Sequence, residues 1–291
     1  MIQNLLKLAR PITVLMAALT YVLGVGIANY LGEPLQAGAF ALGLIAVVMA
    51  EVALNFLGEV FRPPNEAIVA GETLADRRKT RNNSLYLAVA ALAAMGLVAF
   101  MMYRGGAMTP LALVWLGLSL SIVILYAVPP FRLLGRGFGE FLHAVHLAYV
   151  IPSIAFLLQA NDSHRLLVVV AAPLTAIAFA YFIVLDFPAF ASDQKYERQT
   201  LLTLLGWQRS IPFHHALLGA AYLLFAAAPF AGFSLQLLWP VFITLPFAIF
   251  QIYTLNNIAA GAPPNWTLLT VNGLAVFGLS AYLLAMILWL R

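Results

Sequence analysis

The stretch "DFPAFASDQKYERQTLLTLLG" (186–206) gathers two aspartates, a glutamate, a lysine and an arginine into the thirteen residues from Asp186 to Arg198. It interrupts a chain of 291 residues that is 63% hydrophobic and only 9% charged. Average soluble domains are about 45–50% apolar and about 25% charged. A gap this wide points to a bilayer as the solvent. The stretch then reads as a polar segment at the end of membrane-spanning helices, and the fold follows from the apolar runs on either side of it.

A spanning helix needs about 20 mostly apolar residues. Nine such runs are expected, at 11–31, 36–58, 84–103, 109–128, 139–159, 166–185, 211–230, 235–254 and 267–290. Pro11, Pro110, Pro212 and Pro240 sit at or near the starts of their runs, where a missing N–H costs little. The expected fold is all-α: one polytopic domain over 1–291, with nine transmembrane helices around a lipid-accessible central cavity. The opening "MIQNLLKLARP" is short, basic and amphipathic. No small-residue cleavage pattern follows it, so the first helix is expected to be retained.

The cations support this count. On a nine-span path Lys7, Arg10, Arg62, Arg77, Arg78, Lys79, Arg81, Arg132, Arg136, Lys195, Arg198 and Arg209 fall on one side. Only Arg104, Arg165 and Arg291 fall on the other. The positive-inside rule then predicts a cytoplasmic N-terminus and an external C-terminus in the cell or inner membrane. The long loops, 59–83, 129–138 and 186–210, lie on the cation-rich side. The chain has no cysteine, which excludes disulfides, thiolate metal sites and a cysteine nucleophile. The net charge of +4 is small, and no nucleic-acid partner is expected. No Walker loop, serine elbow or dinucleotide fingerprint is present.

Two polar constellations stand out. In "EVALNFLGEVFRPPNEAIVAGETLADRRKTRNN" (51–83), Glu51, Asn55 and Glu59 are spaced by four and share one helix face. A carboxylate inside a membrane helix is expensive and by default marks a functional site. Pro63 and Pro64 should end that helix, with Glu66 in the loop beyond. In the opening stretch Asp186 and Asp193 are seven apart, about 10 Å along a continuous helix axis, with a local break expected at Pro188. Lys195 and Arg198 follow. Carboxylate oxygens with cations beside them suit Mg²⁺ holding a ligand's phosphates, with Lys and Arg neutralising the remaining charge. The expected ligand is a lipid diphosphate, its head at the cytoplasmic mouth and its tail among the helices. The "DRRKTR" run (76–81) reads as a solvated topology marker. His143 and His146 read as interhelical hydrogen-bonders, and His214 and His215 as interfacial.

Four stretches resemble the UbiA-type intramembrane prenyltransferases of the quinone and chlorophyll branches. "LLKLARP" is similar to the family's basic-Pro entry to helix 1. "NFLGEVF" stands where the family has N-D-x-x-D-x-x-x-D. "LYAVPPFRLLGRGFGE" (125–140) resembles Y-x-x-P-P-x-R-x-K-x-R-G-x-G-E. The opening stretch resembles D-x-x-D-x-x-x-D followed by a basic patch and T-L-x-x-x-L-G. The pattern is incomplete: Phe56, Pro63 and Ala189 stand where acids are common, and Glu59 stands for the central Asp. Glu66 is a candidate to replace a lost ligand in space.

The resemblance implies that an isoprenyl group moves from a prenyl diphosphate to a hydrophobic aromatic or tetrapyrrole acceptor. It implies Mg²⁺ as cofactor, Glu59, Asp186 and Asp193 as metal-binding and catalytic acids, and Asn55, Lys195, Arg198, Arg132 and Arg136 around the bound diphosphate. The alternative is an inactive homologue, a lipid-, quinone- or pigment-binding accessory subunit of a membrane complex. A transporter ranks lower, because the acids cluster at one end and no inverted repeat or pair of broken helices is visible.

Overall fold

The computed structural model describes residues 2–62, 66, 68 and 73–291. Pro63 and Pro64 lie outside the described residues. A short helix α1 (Ile2–Leu8) precedes α2 (Pro11–Tyr30) and α3 (Ala37–Val60). Then come α4 (Leu74–Arg104), α5 (Pro110–Ala127) and α6 (Gly139–Leu157). α7 (Arg165–Asp186) leads through a 3₁₀ turn at Phe187–Ala189 into α8 (Phe190–Lys195). After α9 (Leu201–Leu205) and α10 (Trp207–Ala226), the chain closes with α11 (Leu235–Ala259) and α12 (Trp266–Leu290).

Local chemistry sets the helix starts. Thr73 and Asp76 form a reciprocal capping box at α4. Thr109 accepts the Ala112 N–H just before Pro110, and Asn265 accepts the Leu268 N–H at α12. The capping box corrects one expectation. The basic run 76–81, read as loop, forms the first turns of α4. That helix has 31 residues, or about 46 Å at 1.5 Å per residue, well beyond an apolar core of about 30 Å.

Among the described residues eight helices are long and apolar enough to cross a membrane. The run expected at 211–230 does form a helix, the 20-residue α10, packed against α7. It does not reach the apolarity of the others, because Gln208, Arg209, His214 and His215 occupy its first half. His215 Nε2 lies 3.0 Å from Asn256 Oδ1 on α11, so this polar half is joined to its neighbour.

The helices close around a core built from α2, α3, α6, α7 and α12. Gly24 of α2 lies so close to α6 that a Cβ there would collide with the Pro152 carbonyl and Ala155. Small residues permit this approach of backbones inside a membrane. Just before Pro152, α6 loosens into one π turn at His146–Val150. Trp289 Nε1 donates to the Val22 carbonyl at 3.0 Å and ties the last helix to α2.

The three segments expected to share one side meet at one end of the bundle. Arg136 and Gln199 form an isolated parallel bridge between the 129–138 and 186–210 segments. Glu140 accepts the Leu201 N–H at 2.9 Å. Arg198 reaches Glu66 at 3.2 Å, joining the segment after α3.

Candidate functional site

At this end lies a cavity of 330 Å³ between α2, α5, α6, α7 and the loop helices. Asp186, Asp193, Glu140 and Glu197 supply its acids, and Arg10, Arg132 and Arg198 its cations. Tyr126, His143 and Phe182 line its inner wall. The break at Pro188 matters here. The 3₁₀ turn carries the chain from α7 into α8 while Asp186 and Asp193 both stay on the cavity.

Backbone strain concentrates on this wall. Among the described residues the non-glycine positions with positive φ are Arg10 (48°), Arg132 (40°) and Glu197 (54°), and all three line the cavity. Such a conformation costs about 1–3 kcal/mol and persists where the surroundings over-determine it, often at binding sites. Here it turns two guanidinium-bearing side chains toward one space.

The sequence-derived candidates separate into two groups. Asp186 borders the cavity with its Oδ2 buried and without a hydrogen-bond donor. Asp193 is 1% exposed and receives Arg198 Nη1 at 3.0 Å. Arg198 sits between Asp193 and Glu66. Arg132 is half-buried with its Nε unpartnered. Its pKa lies below the ordinary arginine value, because burial and then the neighbouring Arg198 disfavour its charge. A cation held against its own electrostatics is a place prepared for an anion.

The other candidates do not line this cavity. Glu59 is buried between two cations, pairing with Arg10 at 3.2 Å and with Arg62. Asn55 Nδ2 donates to the Ala9 carbonyl (3.0 Å) and to Thr13 Oγ1 (2.9 Å), so it clamps the entry to α2. Lys195 is exposed, its Nζ over the Tyr196 ring at 5.4 Å. Arg136 is exposed and donates to the Pro130 carbonyl at 2.7 Å. Glu66 is occupied by Arg62 (2.9 Å) and Arg198. Glu59, Asn55 and Glu66 instead hold residues that do line it: Arg10, Thr13 and Arg198.

Sequence reasoning passed over Glu140, Arg10 and Tyr126 as site residues. Glu140 is 7% exposed, and its Oε2 has no donor. It is a neighbour of Asp186 on the cavity. Its only sequence signal was its place at the end of "RLLGRGFGE". Arg10 carried a signal in "LARP", but not one that fixed its direction.

The residues were tested for a divalent ion. Among the described residues no three of His, Asp and Glu gather in a metal-holding group, so the trio Glu59, Asp186 and Asp193 is not assembled. A smaller set does fit. Asp186 and Glu140 are neighbours on the cavity, and each keeps one buried oxygen, Oδ2 and Oε2, without a donor. A hydrated Mg²⁺ completed by phosphate oxygens needs only one or two carboxylates.

No protein-family model matches the chain, and no curated protein sequence matches it. Its structure does match solved ones. A UbiA homolog from Archaeoglobus fulgidus superposes with a TM-score of 0.69 at 15% identity, covering 99% of this chain and 100% of that one. The same homolog bound to GPP and Mg²⁺ gives a TM-score of 0.69 at 16% identity over 99% and 100%. The structure of a digeranylgeranylglyceryl phosphate synthase gives 0.59 at 17% identity over 98% and 97%. The chain has the UbiA-type fold.

Proposed function

We propose that this chain, an all-α membrane protein of UbiA-type fold, is a prenyltransferase. It moves an isoprenyl group from a prenyl diphosphate to an aromatic or tetrapyrrole acceptor of the quinone or chlorophyll type. One observation carries the reading: Asp186 and Glu140, each with one buried carboxylate oxygen lacking a donor, line a 330 Å³ cavity together with Arg10, Arg132 and Arg198. Acids alone would repel a diphosphate, and cations alone would not need the acids. Together they match a diphosphate that arrives with a divalent ion. The A. fulgidus homolog of the same fold has been solved with GPP and Mg²⁺.

Asp186 and Glu140 would hold Mg²⁺, with Asp193 next to them. When bound there, Mg²⁺ neutralises the diphosphate and favours its departure. Arg132 and Arg198 bind the phosphate oxygens as charge-assisted donors that are already in place. Tyr126 and Phe182 give the inner wall π-faces toward the allylic carbon as it gains positive charge. The apolar lining beyond them excludes water that would quench it. On this reading the whole chain is one functional domain. The gathered loops face the cytoplasm, and the bilayer supplies both prenyl donor and acceptor.

A second reading has its own support. Glu59, Glu66 and Asp193 are already neutralised by Arg10, Arg62 and Arg198. A closed ion-pair network suits an accessory subunit that keeps the fold and the lipid cavity within a membrane complex. The deciding experiment is pyrophosphate release from geranyl diphosphate, with a hydroquinone acceptor present, by the purified chain in nanodiscs at millimolar Mg²⁺. Release that is lost with a chelator supports the enzyme. No release from geranyl, farnesyl or geranylgeranyl diphosphate supports the subunit.

A further inference from the structure

Beneath the cavity a second polar cluster is buried in the middle of the bundle. Glu51 of α3 is fully buried, and His143 Nε2 of α6 lies 2.7 Å from its Oε1. His146, one turn on, places Nδ1 3.3 Å from Glu51 Oε2 and Nε2 2.9 Å from Ser119 Oγ on α5. The two histidines differ in one respect. His146 is sealed in, at 0% exposure, and does not reach the cavity. His143 lines the cavity, stacked on Phe182 at 4.3 Å and edge-on to Tyr126 at 5.6 Å.

A carboxylate only accepts hydrogen bonds, so the Glu51 contact fixes the hydrogen of His143 on Nε2. The basic lone pair is then on Nδ1. Nδ1 has no hydrogen-bond partner among the described residues, and it is not among the atoms sealed from space. The carboxylate holds the ring's tautomer and stabilises the imidazolium that forms when Nδ1 takes a proton, as in carboxylate–histidine pairs generally. Among the described residues the cluster forms no metal-holding group. Burying an acid at this depth is costly, and hydrogen bonding between helices alone would not require an imidazole that opens on the cavity.

We propose that His143, oriented by Glu51, is the general base that takes the proton from the prenyl acceptor, and that the acceptor is therefore a phenol or hydroquinone rather than a carboxylate. The inference rests on the prenyltransferase reading. In the step, the C1–O bond of the prenyl diphosphate breaks and its electron pair leaves with diphosphate. A bond forms between C1 and a ring carbon of the acceptor. The proton lost from the acceptor goes to His143 Nδ1, and Glu51 stays ionised against Nε2–H. A carboxylate acceptor has no proton to lose and would leave this pair without a task.

The test uses the full chain in nanodiscs, geranyl diphosphate, Mg²⁺ and 1,4-dihydroxynaphthalene as the hydroquinone probe. Pyrophosphate release and geranylated product are measured together. The expected wild type gives both. His143→Gln loses transfer by about 100-fold, within the usual range for a general base, and loses pyrophosphate release by much less. Glu51→Gln, which can still accept from Nε2–H but carries no charge, lowers transfer about tenfold with release unchanged. Transfer within threefold of wild type in His143→Gln overturns the proposal, as does parallel loss of release and transfer in a folded variant. A wild type that releases pyrophosphate but never geranylates the hydroquinone overturns it too. A wild type that releases none removes the prenyltransferase reading itself. If the variants do not fold, the wild type carries the test. Diethyl pyrocarbonate should modify His143, mapped by mass spectrometry, with protection by geranyl thiodiphosphate plus the probe. No adduct at His143 overturns the assignment.

Discussion

Glu140 accepts the Leu201 N–H through Oε1 at 2.9 Å, while its Oε2 has no donor and Asp186 is its neighbour on the cavity. One side chain thus ties the first turn of α6 to the start of α9 and stands beside Asp186 on the cavity. The two tasks can be separated. Glu140→Gln keeps an amide oxygen for Leu201 but loses the negative charge beside Asp186. Mg²⁺-dependent pyrophosphate release should fall about 100-fold, the scale of one lost electrostatic contact to a leaving group, with little change in melting temperature. Glu140→Ala should add a stability loss of about 1–3 kcal/mol for the orphaned N–H, read in a thermal melt.

Asp186→Ala and Asp193→Ala should each reduce pyrophosphate release by about 10²–10³-fold while leaving the helical circular dichroism intact. Both acids sit at the polar end of the bundle and not in the apolar core. Isothermal titration with Mn²⁺ and geranyl thiodiphosphate should show binding lost first in Asp186→Ala. Asp186 keeps a buried oxygen without a donor, whereas Asp193 already holds Arg198.

Glu59→Gln should act on stability. Breaking a fully buried ion pair costs about 3–5 kcal/mol and an exposed one about 0–1 kcal/mol. The Arg62 side chain is 15% exposed and that of Arg10 39%, so an intermediate loss is expected. The loss of activity should follow the lowered melting temperature and should recover at lower assay temperature. A large loss of activity with an unchanged melt would restore Glu59 to the metal site.

Ala189 borders the cavity on the same wall as Asp186 and Asp193. Ala189→Asp should lower the Mg²⁺ concentration for half-maximal pyrophosphate release by about tenfold, or about 1.4 kcal/mol. The corresponding change at Pro63 lies outside the described residues.

The bilayer made much of this protein readable in one dimension. Hydrocarbon cannot hydrogen-bond a backbone, so each crossing must be a long apolar helix. The runs found in the sequence reappear as helices, α10 being the least apolar of them. Spacing by four put Glu51, Asn55 and Glu59 on one face of α3, and the clustering of acids near 186–198 marked the end that bears the cavity. Which acid does what was decided only by tertiary structure. Glu59 meets Arg10 across 49 residues, Glu51 meets His143 across 92, and Glu140 meets Leu201 across 61. A carboxylate in a low-dielectric interior takes the nearest cation or donor, because leaving it unpaired costs more than almost any local preference. Spacing along the chain states how many acids lie at that end. Only packing settles that Glu59 is neutralised, that Asp186 and Glu140 each keep one buried oxygen without a donor, and that one histidine of two opens on the cavity.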